Sequence, residues 1–273
     1  MRPSLTPRVL TAALALSLVV LAGCDTGAPT APSDRAVGDE AYARLLTDVG
    51  GVDGLAEVLR TSTEAELAAR FAGYGMAFEV VDVTPPLAGV EGRDVSTCAQ
   101  FYPSADRVKW FRLVGAGGVE DHYIDSRGRP ATAFKSLGPV VTAARQSSCQ
   151  TTIGNWGSPA SSFDGGHLIG SQLGGWGGRA NIVPQHYNFN RGNWAKIENA
   201  VAKCGRLGSG KVEYHVDVDY SNTSTLTPSQ FHADVKIAGA WKSADFTNTT
   251  LGGSSGTSRA NSMVSWLQGK GCY

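Results

Sequence analysis

Three short segments decide the fold of this chain: FDGGHLIG at residues 163–170, NIVPQ at 181–185 and NRGNWAKIE at 190–198. They bring a histidine, amide side chains and carboxylates close together along the sequence. The side chains in them that can take part in chemistry are Asp164, His167, Asn181, Asn190 and Glu198. A histidine base together with hard oxygen ligands indicates a hydrolytic site that uses a metal ion.

His167 is the candidate general base. It follows Gly165 and Gly166, which permit tight or left-handed backbone conformations that present the imidazole at a strand edge. An imidazole with its ordinary pKa can accept a proton from water near neutral pH. The alternative is a histidine satisfied by a local hydrogen bond, which is the better interpretation for a lone histidine in a glycine-rich loop. The neighbouring segments favour the base.

A helix is predicted from Arg191 to Cys204, and Gly205 ends it. Asn190 stands at or just before its start, and Glu198 follows eight residues later. Two helical turns separate the two residues, so both side chains are expected to project from one side. Their oxygens are hard ligands of the kind that Mg²⁺ prefers. An N-cap role for Asn190, and an ion pair or a solvated position for Glu198, are the alternatives.

In this order the segments resemble a known family. Asp-x-Gly-His, Asn-Ile-x-Pro-Gln and Asn-x-Gly-x-Trp-x-x-Ile/Leu-Glu are similar to the motifs of the DNA/RNA non-specific endonucleases, which form a ββα-metal class. The opening DGGHLI resembles the branch that includes secreted bacterial nucleases and nuclease toxins. The resemblance is firm over 163–204, looser over 98–273 and absent before that. It implies an α+β fold: a ββα-metal nuclease core with a central antiparallel sheet and a metal-bearing helix, preceded by a small helical N-terminal region.

The resemblance also implies a role for each motif residue. His167 would activate the attacking water, and Asn190 would be the direct protein ligand of one Mg²⁺, with Mn²⁺ or another hard divalent ion as the alternatives. Glu198 would hold a metal-bound water, Asp164 would position the histidine segment, and Asn181 would support the site by hydrogen bonding. The metal would act as a Lewis acid on the phosphoryl oxygen. The expected reaction is hydrolysis of DNA and RNA to 5′-phosphorylated fragments.

One position departs from the family pattern. Many members carry an arginine at the second position of the histidine motif, where this chain has Gly165. That arginine would stabilise the charge of the pentavalent phosphorane, so another cation replaces it or this branch does without it. Arg179, Arg191 and Lys211 are the candidates for contact with the substrate phosphate. The departure also leaves open a catalytically weak, nucleic-acid-binding lipoprotein.

Charge divides the chain, although its formal net charge is +0. Residues 24–100 hold 5 basic and 13 acidic side chains, whereas residues 101–273 hold 17 and 11. A basic half suits approach to a polyphosphate, and a solvated surface is the alternative. The acidic region at 39–92 is predicted to be mainly helical, either as a separate unit or as a cover over the basic cleft that mimics nucleic acid. The endonuclease domain is placed at 94–273.

The chain begins with the features of an export signal. Two arginines precede an uncharged run over 9–22 that leads into LAGC at 21–24, and about 14 apolar residues are too few to span a bilayer. LAGC resembles a lipobox, which implies a lipoprotein signal peptide at 1–23 and lipidation of Cys24; an ordinary secretory signal is the alternative. Residues 24–38 are predicted to be a flexible linker. The expected product is a cell-surface lipoprotein whose sole attachment to the membrane is the lipid on Cys24. Full secretion is the alternative, and a toxin used against competitors would come with an inhibitor protein.

Four cysteines follow Cys24 in the sequence. They are Cys98, Cys149, Cys204 and Cys272. An even number in an exported chain favours two disulfides, and three pairings are open. A zinc site is the competing interpretation, but neither a CxxC pair nor a close Cys/His spacing supports it.

Hydrophobic periodicity predicts the remaining elements. Helical spacing occurs at 39–49, 52–71 and 259–268, and Ser62 or Thr63 with Glu66 offers a capping box that starts a second helix. Strands are expected at 76–83, 108–114, 120–125, 131–137, 211–220 and 231–237. The last two strands and the earlier ones are expected to form two groups, with the motif segments between them. The polar residues of the 211–220 strand that are expected to face outward are Lys211, Glu213, His215, Asp217 and Asp219.

Overall fold

The computed structural model describes residues 39–83, 98, 100–115, 117–138, 142–143, 145–208 and 210–273. The predicted signal peptide, the linker, the lipidation site Cys24 and the boundary placed between 39–92 and 94–273 lie outside these residues. Among the described helices, none is long and apolar enough to cross a bilayer.

The acidic N-terminal region begins with three helices. They are α1 (Glu40–Val49), α2 (Gly51–Thr61) and α3 (Glu64–Ala72). Gly50 ends α1 in the left-handed conformation, with φ of 86°. Thr63 and Glu66 form the capping box that the sequence predicts, because each side chain accepts a hydrogen bond from the backbone N–H of the other. The segment predicted at 52–71 therefore divides into α2 and α3.

Nine strands follow in the described residues, and seven of them form one sheet. The strands are β1 (Ala77–Asp82), β2 (Lys109–Gly115), β3 (Gly118–Ile124), β4 (Pro130–Leu137), β5 (Phe163–His167), β6 (Ile182–His186), β7 (Val212–Asp219), β8 (Gln230–Ile237) and β9 (Ala240–Thr247). The order in the sheet is β1-β2-β3-β4-β7-β8-β9, with β1 parallel to β2 and the other pairs antiparallel. The expectation of two groups of strands was wrong, because β4 pairs directly with β7. β9 was not predicted. β5 and β6 form a separate hairpin.

The later helices are α4 (Ser147–Gly154), α5 (Tyr187–Phe189), α6 (Ala195–Cys204) and α7 (Gly256–Gly269). The last two cover one face of the sheet. Ile197 and Val201 of α6 and Met263 of α7 pack in one apolar core with Val216 and Val218 of β7. The fold is α+β with a central, mostly antiparallel sheet and a helical N-terminal region, as predicted.

The N-terminal helices cover the opposite face of the sheet. Tyr42 stacks on Tyr123 with 5.1 Å between ring centroids, and Phe71 stacks on Trp110 at 5.3 Å. These aromatic rings belong to a core separate from the one beneath α6, since successive strand residues point to opposite faces. The helices of the acidic region are thus a layer of the same fold on the side away from α6, which is inconsistent with a cover over the motif segments.

This layer overturns the outward orientation predicted for the polar face of β7. His215 and Asp217 are buried beneath α1, where the Tyr42 hydroxyl donates to Asp217 at 3.3 Å. His215 lies between two carboxylates, with Nε2 3.1 Å from Asp217 and Nδ1 3.4 Å from Asp234. Burial alone would lower the pKa of His215, but the two carboxylates outweigh it and raise the pKa to about 9. The imidazolium is the cation that balances this buried cluster.

The structure forms two disulfides, as the cysteine count led us to expect. Cys98 pairs with Cys149 of α4, and Cys204 at the end of α6 pairs with Cys272 near the chain end. They close loops of 51 and 68 residues, and each is expected to contribute about 4 kcal/mol in the loop-entropy model. One of them holds α4 in place, which matters for the site below.

Candidate active site

The three motif segments come together as one ββα unit. β5 carries Asp164 and His167, and it pairs with β6 in a register that sets Asp164 opposite Gln185 and His167 opposite Ile182. The chain then continues through α5 and a π-helical turn, Asn190–Trp194, into α6. The tertiary structure therefore places His167 on the hairpin and the predicted metal ligands on the helix that follows it.

The glycines of the histidine motif are required by close packing rather than by unusual backbone conformations. Both lie in the extended strand β5. A β-carbon at Gly165 would lie 2.3 Å from the Gln150 carbonyl oxygen in α4, and one at Gly166 would lie 2.0 Å from Oε1 of Gln185. The expectation that these glycines adopt tight or left-handed conformations was wrong. They are there because α4 and the Gln185 side chain approach the strand closely.

His167 is held in a nearly closed pocket, with 6% of its surface exposed. Nδ1 lies 3.4 Å from Nε2 of Gln150, and the His167 carbonyl accepts a hydrogen bond from Nε1 of Trp194 at 3.2 Å. Burial, with a further contribution from the positive charge of Arg145, lowers the pKa of His167 to about 4. The imidazole is therefore neutral at pH 7, and one of its nitrogens has a lone pair for a proton.

Asp164 orients the amide of Asn190. Its Oδ2 accepts from Nδ2 of Asn190 at 3.0 Å, which leaves Oδ1 as the asparagine atom able to bind a cation. Arg191 donates to the same carboxylate through Nε at 2.8 Å and through Nη2 at 2.6 Å. Burial opposes ionisation of Asp164, but these hydrogen bonds outweigh it and lower its pKa. Asp164, three residues before His167 on β5, thus orients the side chain of Asn190.

A π-helical turn brings Asn190 and Glu198 to one side of the helical segment. The N–H of Ala195 donates to the carbonyl of Asn190, five residues earlier. In an uninterrupted α-helix, eight residues would leave the two side chains about 80° apart, whereas one inserted residue reduces the angle to about 20°. The helix predicted to be continuous from Arg191 is therefore interrupted by a π-helical turn. This turn aligns the two predicted ligands better than a continuous helix would.

Glu198 is buried rather than solvated, with 5% of its surface exposed. Its Oε2 accepts from Nε2 of Gln172 at 3.1 Å, and the absence of a side chain at Gly170 lets its carboxyl group approach the backbone. Burial raises the pKa of Glu198 to about 8, and a cation held nearby would offset this by favouring the ionised form. Within the described part of the chain, Oε1 has no hydrogen-bond partner. A buried oxygen without a partner fits a carboxylate that holds a metal-bound water.

The donor set at this site suits a hard divalent cation. Asn190 offers an amide oxygen, and Glu198 offers a carboxylate oxygen. The His/Cys/Asp/Glu group that could hold a metal ion among the described residues, His215 with Asp217 and Asp234, lies elsewhere, beneath α1. This group is buried, and both nitrogens of its histidine already face carboxylates of the group. The ββα unit is therefore the better metal site.

Asn181 fastens the segment that follows His167. Its Oδ1 accepts from the N–H of Ile169 at 2.8 Å, and its Nδ2 donates to the carbonyls of Ile169 at 2.8 Å and Trp176 at 2.7 Å. Asn181 is fully buried, so these three bonds form away from water. They tie the start of β6 to the chain just after the histidine.

The structure does not bring all three proposed phosphate-binding cations to the site. Arg179 is 1% exposed, donates to the carbonyls of Ile182 at 2.8 Å and Gln100 at 3.0 Å, and lies over the ring of Trp156. Because its guanidinium is enclosed and hydrogen-bonded to backbone, its assignment to the substrate phosphate was wrong. It is a structural residue.

Lys211 and Arg191 also differ from the prediction. Lys211 lines a groove with Arg60 and Lys270 beyond the C-terminal end of α6. Asn190 precedes the other end of this ten-residue helix, about 15 Å away at 1.5 Å per residue, so Lys211 does not reach the site. The Arg191 side chain is at the site and is 71% exposed, but it is paired with Asp164.

Arg145 is the cation at the site that sequence reasoning missed. Its Nε donates to Oγ of Ser171 at 2.9 Å, and its charge acts on both His167 and Glu198. Gln150 and Gln172, which contact those two residues, were missed as well. No motif marks these three positions. The one available signal was Arg145, a cation shortly before the segment that packs against a glycine of the DGGH motif.

Comparison with known proteins agrees with this geometry. Residues 114–239 match the model of the family DNA/RNA non-specific endonuclease. A stretch of 73 residues is 37% identical to "Probable deoxyribonuclease RhsA" of Dickeya dadantii (strain 3937), which covers 26% of this chain and 5% of that protein. This match confirms the resemblance of the motifs and the predicted class of enzyme. This chain spans about 5% of the length of the curated relative that it matches.

Two crystal structures of NucA from Streptococcus agalactiae are also similar to part of the chain. The structure without metal shares 20% identity at a TM-score of 0.35, covering 48% of this chain and 70% of that chain. The structure with a magnesium ion shares 22% identity at a TM-score of 0.38, covering 48% and 72%.

Proposed function

We propose that this chain is a metal-dependent endonuclease that hydrolyses the phosphodiester bonds of DNA and RNA by water attack. The observation that carries the proposal is the arrangement of the ββα unit: a buried neutral His167 on the hairpin and, on the helix, an Asn190 whose amide is oriented by Asp164. Glu198, with a buried oxygen that lacks a partner among the described residues, completes the set. These groups are the base and the hard ligands that the reaction needs.

His167 acts as the general base through Nδ1. The amide of Gln150 lies 3.4 Å from Nδ1, and a donor there selects the tautomer with its proton on Nε2 and its lone pair on Nδ1. The hydrogen bond from Trp194 to the His167 carbonyl fixes the backbone beneath the ring. The attacking water replaces the Gln150 amide at Nδ1, a contact that is long at 3.4 Å, and Nδ1 takes the proton of this water as the water oxygen bonds to phosphorus.

Asn190 and Glu198 would hold Mg²⁺, the first through Oδ1 and the second through a water molecule. Bound Mg²⁺ supplies Lewis-acid polarisation of the phosphoryl oxygen and stabilises the departing 3′-oxygen. Mn²⁺ or another hard divalent ion meets the same donor set. The hydrogen bond from Asn190 to Asp164 would keep the amide nitrogen away from the cation. The side chain would therefore present Oδ1 to the cation before it binds.

Attack by water requires no 2′-hydroxyl, so DNA and RNA are both substrates. The bond to the 3′-oxygen breaks, and the fragments carry 5′-phosphates. Contacts would be mainly with phosphates, and affinity should therefore fall as salt rises. Packing of α4 accounts for the glycine at position 165, and a catalytically weak binding protein is the alternative that an absence of cleavage would support.

Digestion of plasmid DNA and of RNA by the purified chain tests the proposal. We expect cleavage with Mg²⁺, none with EDTA, and a loss of about 10²–10⁴-fold in kcat for His167→Ala. His232→Gln is the matched control, because His232 bridges Asp219 and Asp245 on β7 and β9, outside the ββα unit. Products that ligase joins without prior kinase treatment have 5′-phosphates. Cleavage that survives EDTA, or that His167→Ala retains, would contradict the mechanism.

Export and lipid anchoring at Cys24 are proposed as well. The LAGC sequence and the two disulfides support them, because disulfides persist in oxidising compartments. An anchored nuclease would degrade extracellular nucleic acid at the cell surface. Cys24→Ala should release the activity from the membrane fraction into the medium. Activity found in the medium of the wild type would instead favour a fully secreted nuclease, including a toxin with its own inhibitor protein.

A further inference from the structure

Helix α4 occupies the place that an arginine at position 165 would need. The Gln150 carbonyl oxygen, Cα and carbonyl carbon all lie within 2.8 Å of a β-carbon built at Gly165. The disulfide between Cys98 and Cys149 holds α4 at this position. A backbone contact of this kind cannot be relieved by turning a side chain. The same helix that excludes the arginine brings its own polar residues to the site, beginning with Gln150 at Nδ1 of His167.

Arg145, two residues before α4, is anchored at the rim of the site. Its Nε bonds to the hydroxyl of Ser171 at 2.9 Å, and the N–H of Ala143 donates to the Ser171 carbonyl at 2.9 Å. Ser171 stands between Gly170, against which the Glu198 carboxyl group packs, and Gln172, which donates to that carboxyl group. The guanidinium is therefore fixed beside Glu198 by its Nε.

The charge of Arg145 reaches both sides of the space where a phosphate would lie. It adds to the burial that lowers the pKa of His167 on β5, and its anchor Ser171 adjoins Gln172, which bonds to Glu198 on α6. Arg145 is exposed, and within the part of the chain that the structure describes it forms no ion pair with an acidic side chain. The hydrogen bond at Nε leaves the two terminal amino groups for an anion, in the planar fork that suits phosphate oxygens.

We propose that Arg145 contacts the scissile phosphate and stabilises the negative charge of the pentavalent transition state, in place of the arginine that is absent at position 165. This inference rests on the proposed function. The charge develops as the water oxygen bonds to phosphorus, its proton passes to His167, and the bond to the 3′-oxygen breaks, the leaving oxygen taking a proton from solvent. Arg145 neutralises the equatorial oxygens during this step and exchanges no atoms.

Kinetics of Arg145→Ala on two substrates test the assignment. Arg70→Ala is the matched control, because Arg70 is also exposed but lies on α3, on the other side of the sheet. On plasmid DNA, kcat should fall about 10²–10³-fold with KM within about threefold, as expected for a donor that acts in the transition state. On bis(4-nitrophenyl) phosphate, which has one phosphate, the loss should be similar, because Arg145 acts at the scissile group.

Two further measurements separate the proposal from a structural role. Guanidinium ion added at millimolar concentration should restore part of the Arg145→Ala rate but should not affect Arg70→Ala. Affinity for a short oligonucleotide in EDTA, measured by fluorescence anisotropy, should change by less than about threefold in Arg145→Ala. Ser171→Ala removes the hydroxyl that anchors Arg145 but keeps the positive charge of Arg145. It should lose less activity than Arg145→Ala and should unfold at the same temperature as the wild type.

The outcomes distinguish this inference from the proposed function. If the wild type shows no metal-dependent cleavage, the function itself is wrong. If the wild type cleaves and Arg145→Ala matches Arg70→Ala, the function stands and the assignment of Arg145 is overturned. A loss that appears as a raised KM on plasmid DNA and vanishes on the single-phosphate substrate would also overturn it, because Arg145 would then bind flanking phosphates.

Discussion

Replacement of Asn181 by aspartate should destabilise the protein although it changes one atom. The Oδ1 that accepts from the Ile169 N–H is retained. The Nδ2 that donates to the carbonyls of Ile169 and Trp176 becomes an acceptor, so an oxygen faces two carbonyl oxygens at 2.7–2.8 Å. Each lost hydrogen bond costs about 1–1.5 kcal/mol, and burial of an unpaired charge adds to this, for a total of about 3–5 kcal/mol. For a chain of this size that corresponds to a fall in Tm of about 10 °C.

Thermal and urea unfolding followed by circular dichroism measure this effect. Asn199→Asp, the same substitution on the exposed side of α6, is the control and should stay within about 0.5 kcal/mol of the wild type. kcat of Asn181→Asp should fall as well, because the freed segment directly follows His167. A variant whose free energy of unfolding lies within about 1 kcal/mol of the wild type would refute the reasoning, since the buried bonds would then contribute little.

Three further outcomes are expected. Gly165→Ala should cost about 1–3 kcal/mol in thermal unfolding, because its β-carbon meets the backbone of α4, whereas Gly269→Ala, with open space around it, should cost nothing. Asp164→Asn frees the amide of Asn190, so the Mg²⁺ concentration for half-maximal activity should rise about 10–100-fold, as titration of cleavage would reveal. The pKa of His215 is about 9 when folded and about 6.5 when unfolded, so its stabilisation is full below pH 6.5 and is lost as pH rises through 9. In His215→Gln, the free energy of unfolding from urea titrations should vary between pH 7 and 10 by up to about 3 kcal/mol less than in the wild type.

The N-terminal layer changes how the endonuclease domain is defined. β1 continues the sheet beside β2, and α1–α3 cover aromatic rings of β2 and β3, Trp110 and Tyr123. Residues 114–239, which match the family, contain neither β1 nor these helices. A fragment that begins at residue 94 would expose those rings and leave β2 as an edge strand, and such surfaces promote aggregation.

The local parts of the fold could be predicted from the sequence. The ββα unit lies within 42 consecutive residues, 163–204, so its order and spacing define it without distant contacts. The capping box at Thr63 and the alternating strands were equally accessible, because each depends on residues close together in the chain. The sequence shows the glycines of the histidine motif, but it does not show that close packing of α4 and Gln185 requires them.

Long-range packing decided the rest. The sequence alone predicts that His167, Asn190 and Glu198 belong to one site, because the three motif segments are neighbours along the chain. Tertiary structure alone decided that Arg179 is enclosed, that His215 is buried beneath α1, and that Arg145 reaches the site. Each of these depends on elements far apart in sequence that meet across a sheet face or through a disulfide, and periodicity within a segment carries no information about what covers it.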